Sequence, residues 1–326
     1  MNHPDSARQF RVTAPGHGEI ATVPLAEPGP GELLVRTRYS AVSRGTESLV
    51  FHGRVPPSQY QAMQAPFQQG AFPAPVAYGY INVGEVIGGE PEWHGRTVFC
   101  LYPHQDYYVV PVEAVQVVPE GVPAGRAVLA AGMETALNGV WDGGAAPGDR
   151  IVVIGGGVIG LLVAWLCRQL PGASVTLVDP LPERADTTAT LGIAWAAEPP
   201  ETRADRVFHA SATPEGLGDA LACAGMEATV VEMSWYGDRP VPAPLGEAFH
   251  SRRLRLRSSQ VGALEPERRA RWDPGRRLQL ALSLLTDPAL ETLLSGESAF
   301  TELPRVMADL TATGASTLCH RIRYPD

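Results

Sequence analysis

Apolar and polar positions change rhythm once along this chain, near Pro123. Before it the apolar stretches are short and broken by Pro and Gly. Residues 10–25 and 31–42 read as strands, and Leu33 to Tyr39 alternates after Leu33 with a two-residue period, the pattern of a half-exposed antiparallel strand. Ala41 to Glu47 leads into a polar loop rich in Pro and Gln that runs to Pro75, a length that serves a site or an interface. Tyr78 to Ile87, Gly95 to Cys100, Tyr107 to Val110 and Ala114 to Val118 continue the short strands, so this part predicts a partly closed β-barrel. After Pro123 the texture is different. Ala124 to Trp141 is helical in composition, and strands at Ile151–Ile154, Val175–Val178, Ile193–Ala196, Arg206–Ala210, Thr229–Met233 and Arg253–Arg257 then alternate with helices. That spacing predicts an α/β fold with a doubly wound parallel sheet. Beyond Gly262 come helices at Arg276–Leu285, Ala289–Ser295 and Leu303–Leu310, and a last strand at Ser316–Arg323.

The stretch from Ile151 carries the clearest chemistry. An unbroken β-branched run ends in Gly155, Gly157 and Gly160, which spell Gly-x-Gly-x-x-Gly, and Val158 and Ile159 lead into a helix at Leu161–Leu170. The first glycine allows a tight turn, the second lets the backbone approach a pyrophosphate, and the third lets helix and strand pack closely. The free N–H groups of the helix face that phosphate. The next strand ends in Asp179, nineteen residues beyond Gly160, where a carboxylate can accept both ribose hydroxyls of an adenosine. It would repel a 2′-phosphate, which favours NAD. Arg184 lies just past it and could meet such a phosphate, which keeps NADP in view. Ser211 and His209, at the end of the fourth strand, are further expected cofactor contacts.

Composition narrows the field. In 326 residues, 44% hydrophobic and 19% charged, the net charge is −9, which argues against a nucleic-acid surface. The one basic cluster, Arg252, Arg253, Arg255 and Arg257, alternates with leucines and reads as a solvated strand face. Cys100, Cys167, Cys223 and Cys319 lack paired spacing and read as free thiols. The first residues carry no apolar signal region, and no apolar run reaches the ~20 residues of a membrane helix. A cytoplasmic protein is expected.

Four landmarks carry a family resemblance: Gly45-Thr46-Glu47, Gly79 to Val86, Gly148-Asp149-Arg150, and the glycine fingerprint. With the β-rich first part, they make nearly the whole chain resemble the medium-chain dehydrogenase/reductase superfamily. The resemblance implies a GroES-like domain at 1–125, a Rossmann domain at 126–262 and a C-terminal return to the first domain at 263–326. It also implies a homodimer formed through the last strand of the cofactor sheet. Zinc-dependent members carry a Cys before Gly-Thr-Asp, a His-Glu pair in the second motif, and a Cys or carboxylate ahead of the cofactor domain. Arg44, Tyr80 with Ile81, and Ala131 stand at those places. A catalytic zinc needs about three Cys, His or carboxylate ligands. Phe99 to Tyr108 also runs straight through the place of the structural-zinc lobe. A zinc-free member is therefore expected.

Without metal, hydrogen-bond donors or a fixed cation must polarise a carbonyl. Tyr80 and Arg44 occupy the former ligand positions; the alternatives are a packed barrel tyrosine and an arginine paired with Glu47. Thr46 matches the family's proton-relay hydroxyl, with His52 as a continuation to solvent. Thr135 matches the Thr that touches nicotinamide, and Glu134 beside it is either a buried base or an ordinary helix residue. Tyr102, His104 and Gln105 match the substrate-pocket lining, and Ser258, Ser259 and Gln260 the nicotinamide end. Three readings follow: a dehydrogenase interconverting a secondary alcohol and a carbonyl, an enoyl or quinone reductase acting on a conjugated C=C bond, and a dinucleotide-binding protein without turnover.

Overall fold

A computed structural model describes residues 4–201, 203–312 and 316–325. The chain divides into two units, residues 1–131 with 282–326, and residues 132–281. Strands β1 (Ser6–Ala14) and β2 (His17–Pro24) form an antiparallel hairpin. Strand β3 (Glu32–Val42), eleven residues long, is followed by helix α1 (Arg44–Phe51), the short strands β4 (Gln69–Gly70) and β5 (Val76–Ala77), and β6 (Asn82–Gly89). Then come β7 (Thr97–Cys100), β8 (Tyr107–Pro111), β9 (Val115–Val117) and the one-turn helix α2 (Ala124–Ala127). The alternation seen in β3 is used on both edges, because β3 pairs antiparallel with β6 and also with β8. Leu33, Val35, Val86, Val98, Tyr108 and Val110 close the core beneath.

Helix α3 (Ala130–Gly143) opens the second unit. Next come β10 (Arg150–Ile154), α4 (Val158–Arg168), β11 (Ser174–Val178), α5 (Arg184–Thr190), β12 (Ala194–Ala196) and β13 (Ala204–His209). Helix α6 (Pro214–Cys223), β14 (Ala224–Glu232), β15 (Arg255–Ser258) and α7 (Pro274–Leu284) complete it. The sheet runs β12-β11-β10-β13-β14-β15, every pair parallel, as the six predicted strands require. Its order reverses between β10 and β13, and the crevice outside the strand ends at such a reversal is where α/β sheets bind ligands.

The chain then returns to the first unit through β16 (Leu294–Ala299), α8 (Leu303–Leu310) and β17 (Cys319–Arg323). Strand β16 corrects the helix expected at 289–295, where a 3₁₀ turn at Pro288–Leu293 gives way to extended chain. Its composition, Leu-Ser-Gly-Glu-Ser-Ala, has little strand propensity. Pairing with β17 supplies the order, along with Arg321 and Arg323, which both reach Glu297.

Candidate functional site

In the second unit, β10 delivers the chain into the glycine turn. Gly155 sits at φ +107°, and a Cβ there would lie 2.6 Å from the Ser211 nitrogen. A Cβ on Gly160 would lie 1.9 Å from the Gly155 carbonyl oxygen, so α4 crosses β10 at a distance only glycine permits. Gly157 caps α4 with no side-chain hydrogen bond, and a Cβ on it would meet no described atom within 4 Å. Val158 and Ile159 form the half-buried first turn. No side chain caps the N-terminus of α4, and the space beside Gly157 is open, a cradle that fits a dinucleotide pyrophosphate.

Asp179, one residue past β11, accepts the Gly156 N–H through Oδ2 at 2.6 Å and the Leu181 N–H through Oδ1 at 3.0 Å. The carboxylate expected to read the ribose is therefore also stapled to the turn. Each oxygen retains a lone pair for a hydroxyl. Arg184 is buried at the start of α5, and Thr135 is half-buried on α3.

Glu134 is buried beside Arg277, whose Nε donates to it at 3.1 Å. Burial raises the Glu134 carboxyl above its ordinary range, while the Arg277 charge and hydrogen bond pull the other way. Arg277 also donates to Asn138, and Asn138 donates to Asp142 at 2.9 Å. Asp142 in turn accepts from Arg257 at 2.8 Å and from Ser259 at 2.7 Å. Arg257 stays 39% exposed on the solvated strand face while one of its nitrogens reaches Asp142.

The first unit gathers a second group. The Tyr80 hydroxyl donates to Ser43 Oγ at 2.5 Å and also bonds Thr46. Burial pushes the Tyr80 phenol up to about 12, against the lowering effect of these hydroxyls. Below that pH it keeps its proton and remains a donor. The Ser43 N–H donates to Glu47 Oε1 at 2.7 Å, and Glu47 Oε2 meets His104 Nε2 at 2.9 Å. His104 Nδ1 bonds Ser40 Oγ at 2.8 Å, and Ser40 bonds the Tyr324 hydroxyl at 3.1 Å. Glu47, His104, Ser40 and Tyr324 are all buried. Arg44 donates to the Thr317 carbonyl at 3.0 Å, and exposed His52 bonds Thr311 at 3.1 Å.

Tyr102, His104 and Gln105, expected along a substrate pocket, are all buried. Tyr102 stacks on Tyr108, and Gln105 is bonded to Gln9 and to the Tyr107 carbonyl. Sequence reasoning missed the partners of His104. Glu47 stood within a recognised motif, but Ser40 and Tyr324 gave no signal. At the expected ligand positions stand Arg44, Tyr80 with Ile81, and Ala131. Among the described residues no three His, Cys, Asp or Glu side chains converge as a metal site.

No family model matches the chain. D-guloside 3-dehydrogenase of Escherichia coli is 25% identical over 236 residues, spanning 67% of this chain and 64% of that enzyme. The 2-desacetyl-2-hydroxyethyl bacteriochlorophyllide A dehydrogenase of Cereibacter sphaeroides is 33% identical over 76 residues, 22% of this chain and 20% of that one. The chain thus spans less than two thirds of the length of these curated relatives. A Sinorhizobium meliloti dehydrogenase assigned as zinc-binding, solved with NADP, superposes with a TM-score of 0.78 at 18% identity, covering 98% of this chain and all of that one. The fold is that of the medium-chain dehydrogenases. In that fold the second unit is the Rossmann domain and the first is the GroES-like domain. No helix among the described residues is long and apolar enough to cross a membrane.

Proposed function

We propose that this protein is an NAD(P)-dependent oxidoreductase that interconverts a secondary alcohol and a carbonyl by hydride transfer, without zinc, and with NAD preferred. The observation that carries the reading is the turn at 155–160, where Gly157 leaves open space before a helix N-terminus and Asp179 is stapled to the turn. A bound nicotinamide dinucleotide supplies or accepts the hydride. On reduction Tyr80, protonated at neutral pH and half-exposed, gives its one proton to the substrate oxygen in place of Ser43 and takes the Ser43 hydroxyl proton in exchange. On oxidation the exchange runs backwards: the phenol takes the alcohol proton as it hands its own to the Ser43 or Thr46 hydroxyl bonded to it, and that partly exposed hydroxyl passes its proton to solvent. Glu47 and His104 hold these groups from behind, since Glu47 fixes the Ser43 backbone at the start of α1. The zinc-free part rests on donor chemistry: a guanidinium, a phenol beside an isoleucine, and an alanine stand where zinc-dependent relatives carry ligands.

NADH titration followed by turnover assays on ketones, secondary alcohols and enones tests the reading. Reduction confined to enones would assign the activity to conjugated C=C bonds, and binding without turnover would leave a dinucleotide-binding protein. Metal content, and rates before and after chelation, test the absence of zinc. Tyr80→Phe should lower kcat about thirtyfold and leave the Kd for NADH unchanged, the loss of one hydrogen bond to developing alkoxide charge. Equal kcat would remove the phenol from the mechanism.

Asp179→Ala should shrink the preference for NAD over NADP by about tenfold, the worth of one charge-assisted hydrogen bond plus relief of repulsion. Parallel titrations with NADH and NADPH measure it. The protein is further proposed to be a cytoplasmic homodimer joined through β15. That strand is the sheet edge and exposes Leu256. Leu256→Lys should then yield monomer on sedimentation.

A further inference from the structure

Behind the glycine turn lies a side-chain chain that the reaction above does not use. Glu232, the last residue of β14, accepts from His209 Nδ1 at 2.7 Å, from the Tyr236 hydroxyl at 3.0 Å, and from the Ser234 N–H at 2.7 Å. On the far side of the ring, His209 Nε2 bonds Ser211 Oγ at 2.7 Å. Ser211 Oγ also bonds Thr213 Oγ1 at 2.9 Å, and Thr213 caps α6. An ionised carboxylate only accepts, so the network places a ring proton on Nδ1 and leaves Nε2 to pair with the Ser211 hydroxyl.

Two features tie this chain to the dinucleotide turn. His209 is fully buried, in register with Ile154 at the end of β10, on the strand pair where the sheet order reverses. The Ser211 backbone is what a Cβ on Gly155 would strike. The cluster has also been given room, because a Cβ on Gly216 would lie 2.3 Å from Ser211 Oγ and 2.9 Å from His209 Nε2. A buried His–carboxylate pair costs desolvation and is kept where it orients something.

We propose that Glu232 and His209 are positioning residues for the dinucleotide: through Ser211 they hold the end of β13 against Gly155 and so fix the turn on which the pyrophosphate rests. This deepens the reading of the turn as a dinucleotide site and depends on it. Ala212, at φ +55°, redirects the chain from Ser211 into the α6 cap, so the hydroxyl and the backbone it anchors move as one.

The test is NADH titration of the full-length protein, with melting temperatures recorded alongside. Ser211→Ala and His209→Asn should each weaken binding about tenfold. His209→Gln, whose amide reaches the place of Nε2, should recover most of the loss, and the double variant Ser211→Ala/His209→Asn should bind no worse than either single. Rescue and non-additivity distinguish a relay from loss of stability alone. Additive losses, or a Gln variant as weak as the Asn variant at equal melting temperature, would overturn the proposal. Variants that bind as the parent does would overturn it while leaving the function standing, whereas a parent protein that binds neither NADH nor NADPH would bring down both.

Discussion

Replacing Arg277 with methionine should destabilise the protein by about 3–5 kcal/mol, the usual cost of stripping one partner from a buried ion pair. Arg277 is 3% exposed and distributes its guanidinium among Glu134, Asn138 and the Val261 carbonyl, so its removal leaves a carboxylate and two acceptors without their donor. The loss should depend on pH. Burial already raises the Glu134 carboxyl and Arg277 opposes the rise, so the variant moves it further up. The folded form then holds a proton that the unfolded chain has released above about pH 4.3. Stability falls with pH wherever the folded state binds more protons. The deficit relative to the parent should therefore be largest near neutrality and shrink towards pH 5, as read by urea unfolding at both values. Arg277→Met combined with Glu134→Leu should regain most of the loss, because no buried charge is then left unpaired. A pH-independent deficit would mean that lost packing, not the unpaired buried carboxylate, sets the cost.

Gly160→Val should weaken NADH binding by more than about a hundredfold and cost roughly 3 kcal/mol of stability, the upper range for overpacking. The added Cβ would fall 1.9 Å from a backbone oxygen, which cannot swing aside as a side chain can. Helix α4 must lift from β10, carrying its N–H groups away from the phosphate position. Gly157→Ala separates the two effects. Its Cβ meets no described atom within 4 Å, so stability should hold while affinity drops, because the methyl enters the space reserved for the pyrophosphate. Calorimetric melting and NADH titration of both variants check the pair. A Gly157→Ala protein that binds NADH normally would place the dinucleotide elsewhere.

The sequence disclosed what is local. Ile151 to Ile154 announces a strand because β-branched side chains run unbroken through a position buried on both faces, and the glycine spacing is legible because each residue's task is set by neighbours within six positions. Strand β16 was illegible because its order comes from β17 and two arginines, not from its own residues. The group around Tyr80 was half legible. Arg44, Thr46 and Tyr80 followed from family motifs, but the bonds from His104 to Glu47 and Ser40, and from Ser40 to Tyr324, join residues 57, 64 and 284 positions apart, and no periodicity records them. For the same reason His104 read as a pocket residue: a sequence shows that a histidine is near a strand end, not which way its ring turns. His209 was visible at its strand end, whereas Glu232, which gives it a purpose, sits on the neighbouring strand.

The place of β17 in its sheet has a consequence for how the polypeptide matures. It lies between β16 and β3, inside the sheet rather than at its rim, and both β16 and β17 are translated after the Rossmann unit. On the ribosome, the Rossmann unit emerges whole while the GroES-like unit still lacks β16 and β17 and leaves residues 39–42 of β3 without the partner that β17 supplies. Nascent chains should thus gain a protease-resistant Rossmann unit first, with the earlier-translated half remaining susceptible until the return segment has followed it out.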